Sequence, residues 1–158
     1  NLDHLIEQEN VNITFFATKY PQDVYVTKDI QKKMKHKART KIIDENLKPI
    51  QLVELVSNYD AVIGTRLHSL IVATCSETPV IAISYHPKVT NFMKLSGAEN
   101  RCLTIDDIQR DEKILSRTFQ QFSSNGKETV DETKDIAARA YKAASRGKEL
   151  MKKAVKDK

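Results

Sequence analysis

The sequence predicts an open α/β fold, a three-layer sandwich built on a mainly parallel sheet. Three observations lead there. Short apolar runs alternate with helix-patterned segments along most of the chain. Two runs, Ala61-Val62-Ile63-Gly64 and Val80-Ile81-Ala82-Ile83-Ser84, are continuously apolar, the pattern of strands covered on both faces. Each is followed by helix-patterned sequence, the order that right-handed crossovers between parallel strands require.

The elements follow in order. Leu2, Leu5 and Ile6 mark one face of a short opening helix. The segment Val11-Asn12-Ile13-Thr14-Phe15-Phe16 concentrates β-branched and aromatic residues and reads as a strand. A loop through Tyr20-Pro21 comes next, and Asp29 is expected to cap a helix carrying Ile30 and Met34. Thr40–Asp44 reads as a second strand, and Pro49 as a helix start. Leu52, Val53 and Val56 give that helix its apolar stripe, and Asn58 is placed to end it. The strand at 61–64, an apolar helix from Leu67 through Cys75 and the strand at 80–84, entered through Pro79, complete the centre. All four strands are expected to be parallel neighbours in one sheet.

Beyond them, Val89, Phe92, Met93 and Leu95 indicate a short helix stopped by Gly97. Arg101–Thr104 reads as an edge strand, and Ile108, Ile114, Leu115 and Phe119 as helical packing. Ser123-Ser124-Asn125-Gly126 has turn chemistry. From about Glu128, Ala137, Ala140, Tyr141, Ala144, Met151, Ala154 and Val155 recur at helical steps, giving a final helix long for a globular domain. The expected organisation is a Rossmann-like, ligand-binding core over residues 1–126 and a helical segment over 127–158 reaching toward a domain outside this chain.

Composition narrows the function classes. A length of 158 residues, 40% of them hydrophobic, can fill one sizeable core. No apolar run approaches the ~20 residues needed to cross a bilayer. The chain opens on Asn1 with no signal-peptide pattern, so the expectation is a cytoplasmic protein cut or trimmed from something longer. Cys75 and Cys102 are too few for a disulfide scaffold and are expected as reduced thiols at or near the core. The net charge of +5 is concentrated in two clusters, Lys32-Lys33-Lys35-Lys37-Arg39-Lys41 and Lys148-Lys152-Lys153-Lys156-Lys158. Such clusters suit phosphates, an acidic substrate or the anionic inner face of a membrane, or are simply solvated helix faces. No zinc knuckle, arginine-rich arm or aromatic RNA-binding motif accompanies them, so no nucleic-acid partner is expected.

Ligands of open α/β sheets bind beyond the carboxyl ends of the strands. That rule selects two loops. In Gly64-Thr65-Arg66-Leu67-His68-Ser69, Gly64 permits a sharp turn and close approach, and Thr65 is expected to cap the helix. The free N–H groups of the helix start favour an anion, Arg66 adds a fork of donors, and His68 and Ser69 stand within reach. The plainer alternative pairs Arg66 with Asp60 or Asp44 and leaves His68 to cap a carbonyl. In Ser84-Tyr85-His86-Pro87-Lys88, Ser84 ends a strand, Tyr85 and His86 offer polar tips, and Lys88 brings charge to a helix start. The plainer reading makes His86 a surface residue and Tyr85 a lid over the core. The four histidines and two cysteines have no metal-ligand spacing, and GxGxxG, GxxxxGK[ST] and GxSxG are all missing. Neither a metal nor a cofactor is expected.

At these two loops the sequence resembles the polysaccharide pyruvyl transferase family. The likeness centres on Asp60 through Ser69 and continues through Pro79–Tyr85 and Pro87-Lys88-Val89, with weaker similarity on either side. The Arg-Leu-His-Ser element after an apolar strand, followed at this distance by Ser-Tyr-x-Pro-Lys, is its specific part. The resemblance implies a GT-B architecture, two Rossmann-like halves facing a cleft, with this chain as the C-terminal, donor-side half and the N-terminal domain elsewhere. It implies transfer of a pyruvyl group from phosphoenolpyruvate, as co-substrate, onto sugar hydroxyls as a ketal, in building capsules, exopolysaccharides and cell-wall polymers. By the same resemblance Arg66 and His68 serve the donor site as catalytic residues; from the chemistry of the two loops, Gly64, Thr65, Arg66, Ser69, Ser84, Tyr85 and Lys88 are expected to bind substrate. The family often carries Asp before Pro-Lys, where this chain has His86.

The residue types suit that chemistry. Phosphoenolpyruvate carries a carboxylate and a phosphate, which Arg66 and a helix start can hold. Ketal formation needs a proton at the methylene carbon, and histidine is the side chain suited to proton transfer near neutrality. Two other classes use the same features: a GT-B-like glycosyltransferase taking a nucleotide sugar, and a non-catalytic domain that retains the fold. An isolated half would be inactive without its second wall, and its open cleft would promote association with a second copy.

Overall fold

The computed structural model describes residues 1–156; for Leu150 and residues 153–156 it describes the backbone alone. Lys158 of the C-terminal basic cluster therefore lies outside the described residues, as do the side chains of Lys153, Ala154, Val155 and Lys156. The fold is mixed α/β with small parallel sheets, loosely Rossmann-like. Its order is α1 (Leu2–Glu9), β1 (Ile13–Phe15), α2 (Gln22–Lys33), β2 (Thr40–Ile42), α3 (Pro49–Val56), β3 (Val62–Gly64) and α4 (Leu67–Cys75). There follow β4 (Val80–Ser84), α5 (Pro87–Ser96), β5 (Cys102–Thr104), α6 (Ile105–Arg110), α7 (Ile114–Ser124) and α8 (Gly126–Lys156).

Strands β3, β4 and β5 form one sheet in that order, both pairings parallel, with Val62 opposite Val80 and Ser84 opposite Thr104. Strands β1 and β2 form a second parallel pair, Ile13 opposite Thr40. The single sheet expected from the sequence is thus two among the described residues. With three residues each, β1 and β3 offer few ladder positions, and none joins them. Side chains join them instead, since Ile13 and Ile63 pack into the same apolar cluster.

Burial explains why β4 lacks the usual alternation. Val80 and Ala82 face a cluster built with Val56 of α3, Leu70 and Ala73 of α4, and Val89 and Met93 of α5. Ile81 faces the other way, onto Leu5 of α1, Leu103 of β5 and Leu115 of α7. Both faces of the strand are therefore covered, and only apolar residues stabilise both. Pro49 and Pro87 open α3 and α5 at a position where the missing N–H costs nothing. Gly97 ends α5 in the left-handed region, φ 72°.

Several local expectations need correction. The second helix starts at Gln22, one turn and more before Asp29, which sits inside it as a solvated residue. Polar Gln22-Asp23 and β-branched Val24 and Val26 hide that start from a pattern search, yet Val24 and Thr27 are buried on one face. The turn at 123–126 narrows to Asn125 alone, between α7 and α8. Cys75, expected at the core, is exposed because the last turn of α4 rotates it outward; Cys102 is half-buried, and both thiols are free. Arg39 of the first basic cluster has a structural task, binding Asn10, Asn12 and the carbonyl of Val11 at the entry to β1.

Helix α8 buries Thr129 and Thr133 near its start, and Arg139 Nη2 donates to the Ser96 carbonyl at the end of α5, 3.3 Å away. Farther along, Tyr141 and Met151 are exposed.

Gly64 is required by packing. A Cβ there would lie 2.6 Å from Leu70 Cδ2 and 2.7 Å from Ser69 Oγ. Gly64→Ala should destabilise the chain by about 1–3 kcal/mol, the usual cost of overpacking. Urea denaturation checks this, with an unchanged slope expected.

Candidate functional site

Parallel pairing puts the carboxyl ends of β3 and β4 on one edge, so the β3–α4 and β4–α5 loops emerge side by side. Arg66, rather than Thr65, occupies the N-cap position of α4, with extended backbone and no side-chain cap. Thr65 is exposed in the turn. The Arg66 carbonyl accepts from the N–H groups of Ser69 and Leu70, and from Ser69 Oγ at 2.6 Å. Ser69 is buried, so its hydroxyl is already committed to the helix start. The N–H groups of Leu67 and His68 have no carbonyl within the helix to bond, and they leave this end electropositive.

The Arg66 side chain makes the principal long-range polar contact of the site. Its Nε donates to both oxygens of Asp23, at 2.9 and 3.1 Å, and its Nη2 donates to Oδ1 at 2.7 Å. This side-on fork joins the start of α4 to the start of α2. Asp23 also accepts from the backbone N–H groups of Thr18 and Lys19, at 3.1 and 2.8 Å. Burial pushes the Asp23 carboxyl up, but the Arg66 hydrogen bond and these two N–H groups outweigh it and hold it below the usual carboxylate range. On the other partner, the Asp23 hydrogen bond exceeds the effect of burial and keeps the guanidinium firmly protonated. Neither acidic partner considered from the sequence is used: Asp44 pairs with Lys28, and Asp23 takes the place proposed for it or Asp60.

In the second loop Ser84 is buried at the end of β4, its Oγ 2.7 Å from Thr90 Oγ1 and donating to the His86 carbonyl at 3.2 Å. His86 is the N-cap of α5, where its Nδ1 accepts from the Lys88 N–H at 3.2 Å. Tyr85 is exposed and meets the His86 ring edge-on, centroids 6.4 Å apart. A shallow depression of ≈ 380 Å³ opens between these groups and Pro87, Thr90 and Asn91. His68 and Lys88 stand exposed at equivalent positions, the second residues of α4 and α5. The His68 side chain has no hydrogen bond or ion pair among the described residues. The edge therefore puts Arg66 and Tyr85 on neighbouring loops, leaves His68 and Lys88 open to solvent, and turns Ser69 and Ser84 inward.

Asp23 was the residue that sequence reasoning missed. A polar Gln-Asp pair just after Pro21, on the same edge as Arg66, was the available signal. No group of His, Cys, Asp and Glu among the described residues is arranged to hold a metal ion.

Residues 1–87 match the family model described as Polysaccharide pyruvyl transferase. The matched stretch takes in Asp23, Arg66, His68, Ser84 and Tyr85; Lys88 lies one residue beyond it. Comparison with curated proteins and with solved structures yields no match.

The depressed Asp23 carboxyl links this edge to acid stability. Its contribution is complete above the ordinary Asp value of about 3.9 and is lost as pH falls through the lower folded-state value. Asp23→Asn should cost about 1–2 kcal/mol at pH 7, allowing for Arg66 being partly solvated, and much less near pH 2. Urea midpoints of parent and variant at the two pH values provide the check.

Proposed function

The chain belongs to the polysaccharide pyruvyl transferase family, and on that premise we propose that the β3–α4 and β4–α5 edge is a donor site for phosphoenolpyruvate, serving pyruvyl transfer to sugar hydroxyls. The observation that supports this best is the pre-oriented guanidinium of Arg66. Asp23 takes its Nε and Nη2, while Nη1 has no carboxylate partner among the described residues. A side chain already fixed loses little entropy when a ligand arrives. The remaining guanidinium edge, the start of α4 and the Tyr85 hydroxyl can together hold a carboxylate or phosphate.

In this scheme Arg66 binds and orients the donor, and Asp23 positions Arg66. Exposed His68, on the first turn of α4, is the candidate acid for protonating the methylene carbon. Lys88 adds positive charge from the neighbouring helix start, and Ser84 steadies the second loop through Thr90 and the His86 carbonyl. The acceptor sugar and a second, facing domain of GT-B type complete the proposed cleft. Cytoplasmic work at the inner membrane face, on polymers of the capsule or cell wall, belongs to the same proposal.

The test is donor titration and kinetics on an intact protein containing both proposed domains. Arg66→Ala should weaken phosphoenolpyruvate binding, with a loss of about 2–4 kcal/mol in transition-state stabilisation, and Arg66→Lys should restore only part. His68→Gln should leave the donor bound while turnover falls by about 10²–10⁴-fold. Near-normal turnover in His68→Gln would remove the acid role. Saturation by a nucleotide sugar with none by phosphoenolpyruvate would replace the donor assignment.

A further inference from the structure

Helix α2 buries one face and leaves the opposite one bare. Val24 and Thr27 are buried on the side that packs against β2, whereas Tyr25 is 63% exposed, Val26 59% and Ile30 40%. Gln22, Tyr25, Val26, Asp29, Ile30 and Lys33 follow at steps of three and four and share the outer face, all exposed. A solvated helix face ordinarily carries polar residues; this one interleaves an aromatic and two β-branched side chains with charged ones. The helix then runs into a stretch with five lysines in ten residues, Lys32, Lys33, Lys35, Lys37 and Lys41, every one exposed. Lys32 pairs with Asp29 at 3.3 Å, and the other four make no ion pair among the described residues. Carboxylates beside them are engaged otherwise: Asp3 accepts from the backbone N–H groups of Lys35 and His36, and Glu7 bonds the His36 ring at 2.7 Å. Surplus positive charge therefore adjoins exposed apolar side chains.

The two features together select the occupant. Lysine ends are hydrated point charges, suited to a field of many phosphates without fixed geometry. A two-fold contact between two copies would set these lysines against one another, and like charges repel. A nucleic acid would answer the lysines but leave Val26 and Ile30 in water. An anionic bilayer answers both: its phosphates meet the lysines, while Tyr25, Val26 and Ile30 enter the headgroup–acyl boundary, a level at which tyrosine is enriched. We propose that the outer face of α2, continued by the turn into β2, is a docking surface for an anionic lipid bilayer. Asp23 belongs to the first turn of α2, so a docked helix holds the Asp23–Arg66 pair about one helix diameter, roughly 10 Å, from the lipid.

This surface gives the membrane-face work proposed above a place on the molecule, and it is tested apart from the phosphoenolpyruvate assignment, since no donor enters the experiment. The chain has no tryptophan, so Tyr25→Trp introduces a single reporter at an exposed position. It is mixed with vesicles of phosphatidylcholine alone, or of phosphatidylcholine with about one third phosphatidylglycerol. Co-sedimentation with the anionic vesicles only is expected, falling about tenfold or more between about 0.05 and 0.5 M salt. The indole emission should move to the blue and be quenched by lipids brominated in their acyl chains. Lys33→Glu combined with Lys37→Glu should weaken binding about tenfold or more. Val26→Ser should weaken it several-fold while leaving its salt dependence unchanged. Tyr141→Trp, placed on exposed α8, serves as the control and should stay unquenched. Quenching of Tyr141→Trp with none of Tyr25→Trp would overturn the proposal in favour of α8. Failure to bind anionic vesicles at low salt, or binding that leaves Tyr25→Trp unquenched, would also overturn it. A blue shift without vesicles that grows with protein concentration would replace the bilayer by a second copy.

Discussion

Burial of β4 on both faces is the constraint from which the other positions follow. Ile81 and Ala82 are fully buried, on opposite sides of the same strand. One side needs α3, α4 and α5 as cover, and the other needs α1 and α7. Once these helices are seated, both flanking strands must run parallel to β4, and their carboxyl ends share an edge. Arg66 and Tyr85 stand on neighbouring loops there because the two strands preceding them are in register. Gly64 sets how close α4 can come, and so how near the Arg66 backbone stands to the sheet.

Legibility followed the range of the interactions involved. The bounds of α4 and β4 were readable because apolar runs stand between punctuating residues: Gly64 before one, Pro79 and Pro87 around the other. These are local signals, and local sequence carries them. The start of α2 was harder, since Val24, Tyr25, Val26 and Thr27 favour strands intrinsically, and only packing against β2 makes them helical. The break between the two sheets was also hidden, because a ladder depends on register between strands far apart in the chain.

The proposed donor site shows the same division. The loop carrying Arg66 and His68 stood out as a polar sequence between two apolar runs. The partner of Arg66 did not, because Asp23 is 43 residues away and competes on paper with nearer acids. Geometry selected it: Asp23 lies at the start of a helix on the shared edge, where two backbone N–H groups already orient its carboxylate.

The cap at the start of α5 has an electrostatic consequence. Asparagine, aspartate and serine are the usual caps, and the family often places aspartate at this point. Here the imidazole of His86 accepts the Lys88 N–H through Nδ1, so that nitrogen carries no proton while the cap is made. The hydrogen-bonding duty is kept, but the formal negative charge of a carboxylate is not. Beside Tyr85 and Lys88, the mouth of the loop therefore has a more positive local potential than an aspartate-capped one. An approaching anion meets one fewer source of repulsion, and ionic strength screens its attraction to that mouth over roughly 10 Å at 0.1 M salt.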